Sequence, residues 1–77
     1  MRDFKDGDFV RSKATGELWH INGIFGKTAE LWPRNQGYWY KGMWVPSTRP
    51  TVDLLSDYVL VSEEENEMLK AREAANA

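Results

Sequence analysis

The sequence predicts a mainly β domain: a small closed barrel of five strands followed by a short acidic α-helix. Three observations predict it. Short runs of strand-forming residues alternate with Gly, Asp, Asn and Pro turn signals over about sixty residues. The composition is 42% hydrophobic and 13% aromatic, which belongs to a folded chain. A helix-start signal follows the last strand-like run. Seventy-seven residues leave room for one core, so the barrel is expected over residues 1–61 and the helix over 62–77. Trp19, Trp32, Trp39 and Trp44 are the expected core material, although four indoles exceed what a small barrel commonly encloses.

Each element has its own signal. Asp6-Gly7-Asp8 reads as a turn, and Phe9–Lys13 after it as a short alternating strand. Ala14-Thr15-Gly16 turns the chain into the clearest strand, Glu17–Phe25. There Trp19 and Ile21 share one face and Leu18 and His20 the other. Gly23 breaks that period and predicts a bulge, after which Ile24 takes over the core face. Gly26-Lys27 is a two-residue hairpin connection to Thr28–Trp32, where Ala29 and Leu31 point one way. Pro33 ends that run and Arg34–Gly37 is a polar turn.

Tyr38–Val45 is rich in strand-forming aromatics and is expected to be one strand, with a bend or bulge at Gly42. Pro46–Pro50 is a loop. Val52, Leu54 and Leu55 fit a short helical turn or an extended crossing, and Asp57–Val61 a last strand. Ser62 with Glu65 three residues later forms a capping box, and glutamates in the first turn complement the helix dipole. Good helix formers run on through Ala75, but the apolar face is thin, Met68 and Leu69 with alanines. Weak packing on the barrel, or fraying at the end, is the expectation.

Composition narrows the function classes. With no cysteine there is no disulfide, thiolate zinc site or cysteine nucleophile, and a domain this small without staples is expected in a reducing cytoplasm. The charged first residues predict no signal peptide, and no apolar run is long enough to span a membrane. Net charge is −2, unevenly placed: residues 1–50 carry +3 and residues 51–77 carry −5. A basic body with an acidic tail fits partner binding, but +3 is a weak imbalance, and a solvated surface with an acidic helix start is the simpler reading.

Gly7-Asp8-Phe9-Val10-Arg11, the turn Thr15-Gly16-Glu17, Trp19–Ile24 and Ala29-Glu30-Leu31 together resemble the opening hairpins of KOW and Tudor-like domains, which are SH3-like barrels. Val52–Leu55 leading to Tyr58–Val61 is similar to the last turn and strand of such barrels, so the likeness covers residues 4–62. It implies an SH3-like barrel whose partner is RNA, ribosomal protein or RNA polymerase in KOW-type members, and a peptide or modified side chain in Tudor-like ones. The chain departs from ribosomal members in lacking dense Lys/Arg loops, with a pI near 5.3. Its small size also resembles phage, mobile-element or bacterial accessory proteins.

Catalytic chemistry finds little support. His20 is the single histidine and has no Asp, Glu or Cys at ligand spacing, so a strand histidine is expected, with no metal. Asp6 with Asp8, and Asp53 with Asp57, lie on turn signals, where capping explains them more simply than acid–base work. Phosphate-binding glycine loops are absent. The chain is therefore expected to be non-catalytic, with no cofactor and no small-molecule substrate.

The informative stretch is 38–44. Plain alternation sets Tyr38, Tyr40 and Trp44 against Trp39, Lys41 and Met43, unless Gly42 resets the register. One set is expected in the core, and the other in an exposed aromatic and basic patch. The candidate binding residues are Trp32, Arg34, Tyr38, Tyr40, Lys41, Trp44 and Arg49. Trp, Tyr and Arg are the usual anchors of protein interfaces, which points to a protein partner or self-association. The alternative is stacking on RNA or single-stranded DNA with Arg and Lys on phosphates. Core and rim packing is the competing structural explanation.

Overall fold

The structure is a computed structural model that describes residues 3–76; Met1, Arg2 and Ala77, at the ends of the two expected segments, lie outside the described residues. In chain order the elements are β1 (Phe9–Ser12), β2 (Leu18–Phe25), β3 (Thr28–Pro33), β4 (Gly37–Tyr40), β5 (Met43–Pro46), β6 (Thr51–Asp53), α1 (Leu54–Asp57), β7 (Tyr58–Leu60) and α2 (Glu63–Asn76). The mainly β class and the C-terminal helix are as expected. The closed five-stranded barrel is not. The main sheet is open, in the order β6-β3-β2-β1-β7, and β4 with β5 forms a separate two-stranded sheet. Among the described residues no ladder joins β6 to β7; the chain passes between these three-residue strands through α1.

Segment 38–45, expected as one continuous strand of the barrel, lies outside that sheet. Lys41 and Gly42 both have positive φ (49° and 78°), the pairing of a two-residue type I′ turn. That turn reverses the chain, so Tyr40 pairs with Met43 and Trp39 with Trp44. The segment becomes a hairpin outside the main sheet, where the three-residue β6 takes the place of the expected fourth strand.

All main-sheet pairings are antiparallel, and their register sorts the side chains onto two faces. Val10 opposes Trp19, Ile21 opposes Leu31, and Ala29 opposes Val52. Val10, Ile21, Ala29 and Leu31 are fully buried and form the core on this face, with Phe4, Trp19, Ile24, Val52, Tyr58 and Leu60 packed around them. The register shift between Ile21 and Ile24 is the bulge expected at Gly23, and it returns Ile24 to the core. The centre of the core on this face is thus aliphatic, while Phe9, 1% exposed, is buried on the other face. None of the four tryptophans is buried, and Trp39 is 40% exposed. Trp19 is half-buried against the core; it meets the Tyr58 ring edge-on at 6.5 Å, and its Nε1 is enclosed without a hydrogen-bond partner.

The opposite face carries Phe9, Arg11, Leu18, His20 and Trp32, because these alternate with the core set. α2 docks on this side. Its start shows the Ser62 half of the expected capping box: Ser62 Oγ accepts the Glu65 N–H at 3.1 Å, while the Glu65 carboxylate turns to Arg11. Its docking is not the weak apolar contact the sequence suggests. Met68 is exposed, whereas Asn66 is 3% exposed, accepting the Phe9 N–H at 2.9 Å and donating to Asp8 Oδ1 at 3.2 Å. Arg11 donates to Glu65 at 2.6 Å, and Arg34 pairs with Glu73. A polar seam holds the helix to the sheet.

Candidate interaction surface

The β4–β5 hairpin is set close to the body by its own sequence. A side chain at Gly37 would place a Cβ 2.5 Å from the Val45 carbonyl oxygen and 2.8 Å from the Trp44 ring, so glycine lets the two strands meet there. Trp44 Nε1 donates to the Pro33 carbonyl at 2.7 Å, tying β5 to the end of β3. Trp39 and Trp44, opposed across the ribbon, meet edge to face at 5.4 Å.

The register places Tyr38, Tyr40, Met43 and Val45 on the other side of the ribbon. The grouping by plain alternation is therefore corrected: Trp44 goes with Trp39, and Met43 joins the tyrosines, because the reversal at Lys41-Gly42 resets the period. Tyr38, Tyr40 and Met43 are 59%, 57% and 67% exposed. Lys41, at the turn, holds its ammonium 5.4 Å from the centre of the Tyr40 ring.

The seven candidate residues fall into three places. Tyr38, Tyr40 and Lys41 share the outer hairpin. Arg34 and Trp44 meet on the inner side, where the Arg34 guanidinium lies 5.4 Å from the Trp44 ring and 5.6 Å from the Phe9 ring. Its Nη2 donates to Glu73 at 3.1 Å, and its Nη1 reaches the Trp32 and Pro33 carbonyls at 3.4 Å. Arg34 thus fastens hairpin, sheet and helix together. Trp32 and Arg49 form the third group: the guanidinium stands 5.1 Å from the indole, whose Nε1 donates to Glu30 at 2.9 Å.

Between hairpin, sheet and helix lies a cleft of about 200 Å³, walled by Phe9, Leu18, Trp39, Trp44 and Leu69, with Arg34 and Glu73 beside them. His20 stands near it. Its ring meets Phe9 edge-on at 4.9 Å, and Nδ1 donates to Asn22 Oδ1 at 2.9 Å. Burial, reinforced by the Arg34 charge, holds its pKa below the usual 6.5 and so disfavours the protonated ring. Tyr58 is shifted the other way, its phenol pushed above its ordinary range by burial and the nearby Asp57. Among the described residues no three His, Cys, Asp or Glu side chains gather as metal ligands, and no helix is long and apolar enough to cross a membrane.

Asn66, Glu73 and Phe9 belong to this architecture and were not singled out from sequence. A contact spanning 57 residues leaves no local signature, and only the position of Asn66 on the inner side of a capped helix hints at it. No family model, curated protein or solved structure matches the chain.

Proposed function

We propose that this chain is a non-catalytic protein-interaction module that docks through the outer face of the β4–β5 hairpin. The observation that carries this reading is the exposure of Tyr38, Tyr40 and Met43 side by side on one face of that ribbon. Two rigid aromatics offer large apolar area at low ordering cost, and a flexible thioether beside them adapts its shape to a partner, which suits a protein interface. The strand order of the main sheet, with a short helical turn between β6 and β7, supports the likeness to SH3-like domains in connectivity, without closure.

A nucleic-acid reading draws on the two cation–aromatic pairs, Lys41 with Tyr40 and Arg49 with Trp32. It is the weaker one, since Arg34 is occupied by Glu73 and the net charge is −2.

Wild-type chain and a Tyr38→Ser/Tyr40→Ser variant, checked for folding by circular dichroism, serve as baits. A captured protein is purified and titrated against both. The variant is expected to weaken binding at least about a hundredfold, as loss of two aromatic anchors does. Equal affinity for both chains overturns the reading. So does a chain that captures no protein and binds only single-stranded oligonucleotide, with affinity falling steeply as salt rises.

A further inference from the structure

The inner face of α2 is composed the wrong way round for a permanently packed helix. Asn66, Leu69 and Glu73 sit at the i, i+3, i+7 positions that a docked helix normally fills with apolar side chains. Here two of the three are polar, and each is matched to the sheet: Asn66 to the Phe9 N–H and Asp8, Glu73 to Arg34. Glu65 reaches Arg11, and Lys70 stands 3.8 Å from Asp8. Leu69, the apolar member, leaves the cleft of about 200 Å³ beside it unfilled among Phe9, Leu18, Trp39 and Trp44. Unfilled walls forfeit dispersion contacts, so α2 is an imperfect fit held by exchangeable polar bonds.

We propose that the groove formed by β1, β2 and the hairpin is a docking site for an acidic helix of a partner protein, and that α2 is its resident occupant. The recognition elements are Arg11 and Arg34, set to receive carboxylates eight residues apart, about 12 Å along a helix axis. The Phe9 N–H and Asp8 read an amide next to the first carboxylate. A partner helix carrying an aromatic side chain at the position of Leu69 fills the cleft that α2 leaves open. The tethered α2 competes at an effective concentration in the millimolar range, so the site stays closed to weak ligands. This surface is separate from the outer hairpin face, and the two stand or fall independently.

The test uses the full chain with Glu65→Gln/Glu73→Gln, and a fluorescent synthetic peptide of residues 62–77 as the probe at low salt. Hydrogen exchange over residues 63–76 is expected to rise in the variant. The peptide is expected to bind it at least about tenfold more tightly than the wild-type chain, where α2 competes. Peptide carrying the same two Gln replacements does not bind, and peptide carrying Leu69→Phe binds more tightly than the parent. If the double variant fails to fold by circular dichroism, Glu73→Gln alone replaces it, with a smaller gain in the same direction. The proposal is overturned if α2 stays protected in the folded variant, or if a released α2 brings no peptide binding. Binding of single-stranded oligonucleotide in place of the peptide also overturns it. Tyr38→Ser/Tyr40→Ser leaves peptide binding unchanged.

Discussion

Replacing Asn66 by alanine tests how much of this small domain hangs on one amide. The side chain is 3% exposed and serves two groups, accepting from the Phe9 N–H at 2.9 Å and donating to Asp8 Oδ1 at 3.2 Å. Truncation orphans a buried backbone donor, which costs about 1–3 kcal/mol. It also removes a bond to a carboxylate, a class worth about 1.5–3 kcal/mol, part of which water entering the gap restores. A net loss of about 3 kcal/mol is expected. Domains of this size hold only about 4–11 kcal/mol in all, so the change is large. Urea unfolding followed by tryptophan fluorescence measures it, and hydrogen exchange at Phe9 and along α2 locates it. Asn66→Asp, which sets a second carboxylate against Asp8, is expected to cost at least as much. A loss below about 0.5 kcal/mol for Asn66→Ala, within the range of ordinary surface changes, refutes the account of α2 as held by a buried polar seam.

Three further outcomes follow from the geometry. Gly37→Ala forces a Cβ against the Val45 carbonyl and the Trp44 ring, and is expected to cost about 1–3 kcal/mol, with altered near-ultraviolet circular dichroism from the Trp39–Trp44 pair. Arg34→Met leaves Glu73 half-buried without its guanidinium; a loss of about 2 kcal/mol by denaturant titration is expected, with faster exchange at the C-terminal half of α2. His20 has a lowered pKa, so the unfolded chain takes up a proton that the folded one resists. Stability therefore falls as pH drops below 6.5 toward the lower folded-state value and levels off beneath it. His20→Gln is expected to flatten that part of the profile between pH 7 and 5.5, measured as the difference in unfolding free energy between the two chains.

Local signals were legible where one residue type dictates one backbone event. Gly23 marks the bulge, Gly26-Lys27 the hairpin connection, and Ser62 with Glu65 the helix start, all at the expected positions. The Lys41-Gly42 turn is hidden because Lys at the first turn position is a weak signal beside Asn or Asp, so an aromatic run conceals a reversal. From that one turn follow the corrected grouping of Trp44 and the placing of β6, in place of segment 38–45, in the main sheet. The tryptophans mislead for a related reason. Size and apolarity suggest core, but the core face is filled by Val10, Ile21, Ala29 and Leu31, and the hairpin carries two indoles away from it. Of the candidate patch, Tyr38, Tyr40 and Lys41 share one place, whereas Arg34 and Arg49 settle on different rings, a choice made by tertiary packing alone.

The open sheet has a consequence for behaviour at high concentration. An unclosed sheet has two lateral edges, each a template onto which another chain can add a strand. Here both edges are strands of only three residues, β6 and β7, and the helical turn α1 links one to the other. So short a template offers an incoming strand few backbone bonds, too few to repay its ordering. The main sheet can therefore stay open, because growth strand by strand at its own two edges has almost nowhere to begin.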